Sequence, residues 1–151
     1  MLHMEGEKAF PQGPHQLYAK LTDLQFLVHC LPDLHEVKEV QEKTATAVLR
    51  PGFSFARGEM QLTIEKLEET PATSAKFSLK TKGIGTSSEV ETTFTLAEAG
   101  TGTALRWTSD VKQLGGLLKA VPAGLIQGGA QRVIADLLTN VEKKLAEHSN
   151  P

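Results

Sequence analysis

The stretch that decides the fold is the C-terminal segment 114–148, LGGLLKAVPAGLIQGGAQRVIADLLTNVEKKLAEH. From Val133 onward, apolar residues recur every three or four positions, which places them on one face of an amphipathic helix. This face consists of Val133, Ile134, Leu137, Leu138, Val141 and Leu145. Because charged residues occupy the other face, the second half of the segment predicts a helix packed against an apolar surface.

The first half of the same segment is rich in glycine. Pro122 and a set of glycines interrupt an otherwise apolar run, and Gly124 and Gly128 have the spacing of a close helix contact. The glycines are Gly115, Gly116, Gly124, Gly128 and Gly129. An interior glycine costs a helix about 1 kcal/mol relative to alanine, and an interior proline about 3 kcal/mol. The composition therefore predicts either a broken helix or one whose first half is weakly held.

Three interpretations of this glycine-rich half remain open. The glycines could allow close backbone approach or a bend beside a sheet. The half could instead be a gate over an internal cavity, because weakly held elements are where proteins open. It could also contact an anionic membrane surface, because Lys112, Lys119 and Arg132 occur between positions 111 and 135 without any acidic residue.

Composition limits the class of protein. A chain of 151 residues with a net charge of −2 is one domain by length and offers no basic face for nucleic acid. The N-terminus lacks the features of a signal peptide, no run is long enough to span a membrane, and Cys30 is the single cysteine. We expect one cytoplasmic domain over 4–148, with short tails at 1–3 and 149–151 and no nucleic-acid partner.

The middle of the chain alternates between apolar and polar residues, as half-buried strands do. Positions 15–27 have helical spacing and predict a helix ending before Pro32. Positions 34–40 match neither the helical spacing nor the alternation of a strand. Strands are predicted at 4–10, 44–50, 60–65, 75–80, 89–96 and 105–111, with turns at Pro51-Gly52, Pro71, Gly83-Ile84-Gly85 and Gly100-Thr101-Gly102. The sequence thus predicts an α+β fold, in which a curved antiparallel sheet of about six or seven strands wraps around the C-terminal helix.

The inward positions of the predicted sheet are almost all apolar. They are Met60, Leu62, Ile64, Ala75, Phe77, Leu79, Val90, Phe94, Leu96, Leu105, Trp107 and Val111, with Thr92 and Ser109 as the polar exceptions. No ionisable group is among them, so acid or base chemistry would need a residue from a loop or the first helix. These residues either fill a solid core or line a ligand cavity.

If there is a cavity, we predict that an apolar ligand contacts residues from both sides of it. The predicted contacts are Met60, Leu62, Phe77, Leu79, Phe94 and Trp107 on the sheet, and Leu118, Val121 and Leu125 before and in the C-terminal helix. The aromatic rings would supply flat walls. No catalytic residue, metal or cofactor is predicted.

A cluster of potential metal ligands surrounds Pro32. His29, Cys30 and His35 could in principle contribute imidazole and thiolate ligands to zinc. Their spacing matches no standard ligand pattern and no fourth ligand is evident. We therefore interpret this cluster as a structural turn.

Particular residues, in their order along the chain, resemble a known family. They are Glu5-Gly6-Glu7, Leu21-Thr22-Asp23, Cys30-Leu31-Pro32, Gly52, Arg57-Gly58, and the run from Gly115-Gly116 to Gly128-Gly129-Ala130. Their order resembles the helix-grip (SRPBCC) superfamily of START lipid-transfer domains and polyketide cyclases, and more narrowly the family named for the G subunit of carbon monoxide dehydrogenase. The chain departs from the family pattern at Asp33, where glycine is expected, and at Phe55, where proline is common.

The resemblance implies that 34–40 is a strand and that the protein has an accessory role without catalytic residues. A cavity between sheet and helix would hold a lipid-like or quinone-like molecule, with links to a molybdenum hydroxylase of the carbon monoxide dehydrogenase type and to the inner face of the membrane. Two alternatives stay open. One is a cyclase or aromatase that uses His29, His35 or Tyr18 pointing inward, and the other is an interaction module with a filled core.

Overall fold

A computed structural model describes residues 2–50 and 58–149. One antiparallel sheet of seven strands forms in the order β1-β7-β6-β5-β4-β3-β2. The strands are β1 (His3–Phe10), β2 (Leu34–Val40), β3 (Thr44–Leu49), β4 (Met60–Thr70), β5 (Ser74–Gly83), β6 (Thr86–Ala99) and β7 (Gly102–Gly116). The predicted α+β class and curved meander are confirmed. The turn at Pro51-Gly52 and the family positions Gly52, Phe55 and Arg57 lie outside the described residues.

The helices are α1 (Pro14–Leu21), α2 (Leu24–Val28) and α3 (Ala123–Ser149), with a 3-10 turn at Leu117–Ala120. The single helix predicted over 15–27 is wrong, because the structure divides it at Thr22 and Asp23. The Asp23 carboxylate accepts a hydrogen bond from the Gln25 amide at 3.1 Å and so begins a second helix. Apolar residues keep the same spacing across this break, so periodicity alone could not detect it.

Strand β2 is expected from the family resemblance alone, and the structure confirms it. Its pairing with β3 shifts register between Leu34 and Glu36 and again between Val37 and Glu39. Each irregularity adds a residue to one strand, so apolar side chains fall every third position instead of every second. This is why the spacing of Leu34, Val37 and Val40 matches neither a helix nor a regular strand.

The glycine-rich half of the C-terminal segment is divided between two elements. Strand β7 continues to Gly116, and Pro122 directly precedes the first residue of α3. The proline therefore does not interrupt the helix, since the residues just before and at a helix start tolerate it. Helix α3 runs continuously through Gly124, Gly128 and Gly129.

The second half of α3 is firmly attached to the sheet and to the short helices. Its buried face consists of Ile134, Leu137, Leu138, Val141 and Leu145. The Asn140 side-chain amide also donates a hydrogen bond of 2.9 Å to the Cys30 carbonyl, which ties the helix to the segment between α2 and β2. This half of the helix therefore closes the main hydrophobic core.

Asp33 occupies the position where the family pattern has glycine. Its φ angle is 59°, in the left-handed region that aspartate tolerates better than most residues. The Arg50 amide donates a hydrogen bond of 2.9 Å to the Asp33 carbonyl, which fixes this turn to the end of β3. The chain therefore keeps a glycine-like backbone at this position without glycine.

We predict that Gly6→Ala destabilises the protein. A Cβ atom at position 6 would lie 2.6 Å from Nε1 of Trp107, well inside van der Waals contact, so the indole would have to move. Overpacking of this kind costs about 1–3 kcal/mol, which denaturant unfolding would measure. Gly13→Ala is the matched control, because no atom of the other described residues lies within 4 Å of its added Cβ. Equal stability of both variants would contradict the tight packing of Trp107 on β1.

Candidate ligand cavity

A cavity of about 450 Å³ lies between the sheet and helix α3. Strands β3 to β7 supply one wall, and the 3-10 turn with α3 supplies the opposite wall. Residues at the end of α2 and in the following turn, among them Leu27, Leu31 and Asp33, complete the lining. The inward face of the sheet is therefore only partly covered by packed side chains.

The structure brings together all of the predicted contact residues except Trp107. The lining includes Met60, Leu62, Phe77, Leu79, Phe94, Leu118, Val121 and Leu125. The rings of Phe77 and Phe94 meet edge to face, with centroids 5.7 Å apart. Contact of these side chains with a ligand remains a prediction.

Trp107 does not line the cavity, in contrast to its predicted role as a wall. It pairs with Phe94 on one side and with Gly6 on the other, so it lies on the inward face but next to β1. Because Gly6 has no side chain, the indole packs directly over the backbone of β1. Trp107 belongs to the packed core beside the cavity.

Sequence reasoning missed part of the helical wall. Ile126, Ala130, Ile134 and Leu137 line the cavity at spacings of four, four and three residues, which is one face of α3. This periodicity is present in the sequence, but the glycines around Ile126 and Ala130 conceal that the helix begins so early. The lining residues Leu27, Leu31 and Ile84 carry no comparable signal, because they lie at turns and helix ends.

The cavity wall contains hydroxyl groups but almost no charge. Thr92 Oγ1 and Ser109 Oγ are 2.8 Å apart, and Thr81 Oγ1 and Ser88 Oγ are 2.5 Å apart. Within the described residues, Asp33 is the one ionisable side chain of the lining, and it is exposed at the turn before β2. The site can therefore bind an apolar molecule with few polar atoms, but its described lining offers no buried acid or base.

The three residues proposed for a cyclase are not positioned for it. His29 is exposed, and its Nδ1 lies 2.7 Å from the Gln25 carbonyl. His35 is exposed, with Nε2 3.7 Å from a Glu59 carboxylate oxygen. Tyr18 is buried, and burial raises the pKa of its phenol, but it does not line the cavity. None of the three residues named for a cyclase is therefore a lining residue of the cavity.

The structure also brings together no zinc site around Pro32. Within residues 2–50 and 58–149, no three His, Cys, Asp or Glu side chains are grouped so that they could hold a metal ion. Cys30 is buried beneath α2 and its thiol lies 3.5 Å from the Phe26 carbonyl. Burial raises the pKa of this thiol to about 11.

We predict that Cys30 reacts slowly with thiol reagents. With a pKa of about 11, only on the order of one thiol in a thousand is ionised at pH 8. Since the folded state retains the proton more strongly than the unfolded state, stability should fall as pH rises from about 9 to about 11. Disulfide-exchange rates in native and unfolded protein, with Cys30→Ala as the blank, would test this. Native reactivity equal to that of unfolded protein would contradict burial of the thiol.

The first half of α3 is loosely held over the cavity. Leu125 lines the cavity and is nevertheless 68% exposed. The polar contacts of this half with β1 are two long hydrogen bonds, from Gln127 to the His3 carbonyl at 3.5 Å and from Gln131 to the Glu5 carbonyl at 3.4 Å. This half of the helix therefore has the least packing to lose if it moves.

The glycines in these two elements have different roles. Gly116 has a φ of 61°, and an added Cβ would collide with the Gly85 carbonyl oxygen, so close backbone approach explains it. Among the described residues, no atom outside the helix's own backbone and the glycine's neighbours lies within 4 Å of a Cβ added to Gly124, Gly128 or Gly129. Close approach within the described part of the chain therefore does not explain the glycines of α3, and the helix contact of Gly124 and Gly128 stays a prediction.

A curved antiparallel sheet closed by a long C-terminal helix, with an apolar cavity between them, defines a helix-grip protein of the SRPBCC type. The model of the CoxG family, described as the G subunit of carbon monoxide dehydrogenase, matches residues 6–146. The chain belongs to this family. No curated protein matches the sequence significantly.

Solved structures share the fold at low sequence identity. A conserved protein from Geobacillus kaustophilus is 21% identical, with a TM-score of 0.85, over 97% of this chain and 96% of that one. A protein from Thermus thermophilus is 16% identical, with a TM-score of 0.71, over 99% and 100% of the two chains. A protein from Chromobacterium violaceum is 18% identical, with a TM-score of 0.66, over 93% and 96%. At these identities the similarity concerns the fold.

Length and apolar character together decide whether a helix can span a bilayer. None of the helices in the described part of the chain combines the two to the extent that a span requires.

Proposed function

We propose that this protein binds a hydrophobic, lipid-like or quinone-like molecule between the sheet and α3, as a carrier or accessory protein for a molybdenum hydroxylase of the carbon monoxide dehydrogenase type. The observation that carries the proposal is the apolar cavity of about 450 Å³. Ligand sites in proteins commonly enclose about 300–1,000 Å³. Membership in the CoxG family supports the accessory role and the choice of partner.

The size of the cavity argues against the alternative of a filled core. One water accounts for about 30 Å³ of liquid, so the space exceeds what a few structural waters occupy. Burial of apolar ligand surface would contribute about 25 cal/mol per Å², reduced by the cost of immobilising the ligand. Affinity therefore comes mainly from burial, and specificity from the few hydroxyl groups in the wall.

Uptake of defined compounds tests this function. Protein stripped of bound molecules by solvent extraction and refolding would be titrated with decylubiquinone and with a neutral diacylglycerol, and examined by native mass spectrometry. We expect a one-to-one complex with at least one of them. Absence of any complex, at ligand concentrations far above the dissociation constants of ordinary carrier proteins, would contradict the proposal. Size-exclusion chromatography with a purified carbon monoxide dehydrogenase would test the partner.

We further propose that the region beside the cavity contacts the membrane peripherally. Leu117 is 64% exposed, and in the sequence Leu117 and Leu125 lie on either side of the exposed Lys119. Apolar side chains beside a cation suit an anionic bilayer surface. The exposed Leu125 would then lie where cavity and membrane meet.

A vesicle assay tests this contact. We predict that the unmodified protein cosediments with vesicles containing phosphatidylglycerol and that Leu117→Glu with Leu125→Glu reduces binding at least tenfold, because two apolar contacts become anionic. Leu67→Glu is the control, since Leu67 is an exposed leucine on β4 that does not line the cavity. Equal losses in both variants, or no vesicle binding by the unmodified protein, would contradict the contact.

A further inference from the structure

The most buried polar groups of the cavity are two hydroxyls. Thr92 on β6 and Ser109 on β7 face each other across the strand pair and are 1% and 0% exposed. Both line the cavity, and their oxygens are 2.8 Å apart. Along β6, Thr92 lies between the lining residues Val90 and Phe94, so apolar side chains surround the pair.

The hydrogen bond between the two hydroxyls uses only one of their two protons. Each hydroxyl carries one proton and can also accept, so a bond between two hydroxyls uses one proton and leaves the other. Within the described residues, neither oxygen has another hydrogen-bond partner. A buried donor without an acceptor is costly, and an acceptor atom on a ligand would satisfy it.

We infer that Thr92 and Ser109 form the polar anchor at the buried end of the cavity, where they donate a hydrogen bond to the acceptor oxygen of an uncharged ligand. This inference rests on the proposed function. It adds that the ligand enters with its polar end first and that this end is a neutral carbonyl or ether group. The apolar remainder extends toward α3 and the 3-10 turn.

Within the described residues, the charge of the lining disfavours the common anionic lipids as ligands that enter with the head group first. No cationic side chain is among the lining residues of the described chain, and the exposed Asp33 carries the same sign as a carboxylate or phosphate. An anion at the buried end would lose its hydration without an ionic partner, which is far more costly than burying a carbonyl. From the described lining we therefore expect a neutral polar end.

The second hydroxyl pair is too far away to share the same group. Ser88 precedes Thr92 by four positions on β6, a distance of about 13 Å along a strand. Thr81 and Ser88 are also only half-buried, so water can satisfy them. One compact polar group of a ligand can therefore contact only one of the two hydroxyl pairs. The fully buried pair, Thr92 and Ser109, gains more from such a hydrogen bond because water does not reach it.

The test compares two ligands in matched variants. Decylubiquinone has carbonyl acceptors, whereas decylbenzene has a similar tail and none. We expect unmodified protein to bind decylubiquinone about tenfold more tightly than decylbenzene, and Thr92→Val with Ser109→Ala to lose this preference. Because both partners become apolar groups of similar shape, the fold should persist. Thr81→Val with Ser88→Ala should keep the preference.

Infrared spectroscopy of decylubiquinone labelled with ¹³C at its carbonyls gives a second readout. If Thr92 and Ser109 only supported the fold, replacing them would not shift the carbonyl band. We expect a carbonyl band shifted to lower frequency in unmodified protein and a smaller shift in the Thr92→Val, Ser109→Ala variant. An unchanged preference and band in that variant would overturn the anchor while leaving the proposed function intact. Binding of dodecanoate as tightly as decylubiquinone would overturn the neutral polar end. If unmodified protein binds neither neutral compound, both proposals fail.

Discussion

Replacing Ala130 with tryptophan should weaken ligand binding at least tenfold. Ala130 lies on the face of α3 that lines the cavity and is only half-buried. An indole at this position would project into space that the ligand needs. Since the cavity offers room for the new side chain, the usual penalty of overpacking, about 1–3 kcal/mol, should be mostly avoided. Isothermal titration with decylubiquinone and a thermal melt would measure both effects.

Ala135→Trp is the matched control for this substitution. Ala135 is an exposed residue of the same helix and does not line the cavity. We expect Ala135→Trp to bind ligand as the unmodified protein does. Full affinity in Ala130→Trp, with its fold intact, would show that the ligand binds elsewhere.

Replacing Gly124 and Gly128 with alanine should stabilise α3 by about 2 kcal/mol and slow ligand release about thirtyfold. Each glycine costs a helix about 1 kcal/mol relative to alanine, and neither added methyl group meets another part of the described chain within 4 Å. If the first half of α3 must loosen for the ligand to leave, its stabilisation raises the barrier to release by a similar free energy. Stopped-flow dilution of loaded protein would measure the release rate. Gly129 is left unchanged because it lines the cavity.

Ala146→Gly is the control for this second prediction. Ala146 is exposed near the firmly packed end of α3, so the substitution should lower stability by about 1 kcal/mol without changing release. A stabilised Gly124→Ala, Gly128→Ala protein that releases ligand at the original rate would contradict the gate. The loose packing of this half would then have no part in exchange.

The sheet and the long helix could be predicted because their signals are local. Alternation along β4 to β7 and the three-to-four spacing after Val133 each follow from which face of one element is buried. Local signals failed where two features overlapped. The cap at Asp23 lies inside a continuous apolar pattern, and the register shifts in β2 displace its apolar residues from alternate positions.

The candidate site was harder to predict than the fold. An inward apolar residue has the same pattern whether it fills a core or faces a cavity, so the sequence could not decide between the two. The difference depends on how far α3 stands from the sheet, which is a property of long-range packing. Trp107 illustrates this, because its position relative to Gly6 on the neighbouring strand places it in packed core instead of the cavity wall.

The most direct test of the central claim is native mass spectrometry of the protein as purified, followed by solvent extraction of whatever it carries. We expect a co-purified neutral molecule of the lipid or quinone class at a ratio near one to one, and a clearly lower ratio in Ala130→Trp purified in parallel. A clean unliganded mass for the unmodified protein, with no uptake after incubation with a total lipid extract, would contradict the claim that this cavity binds a ligand.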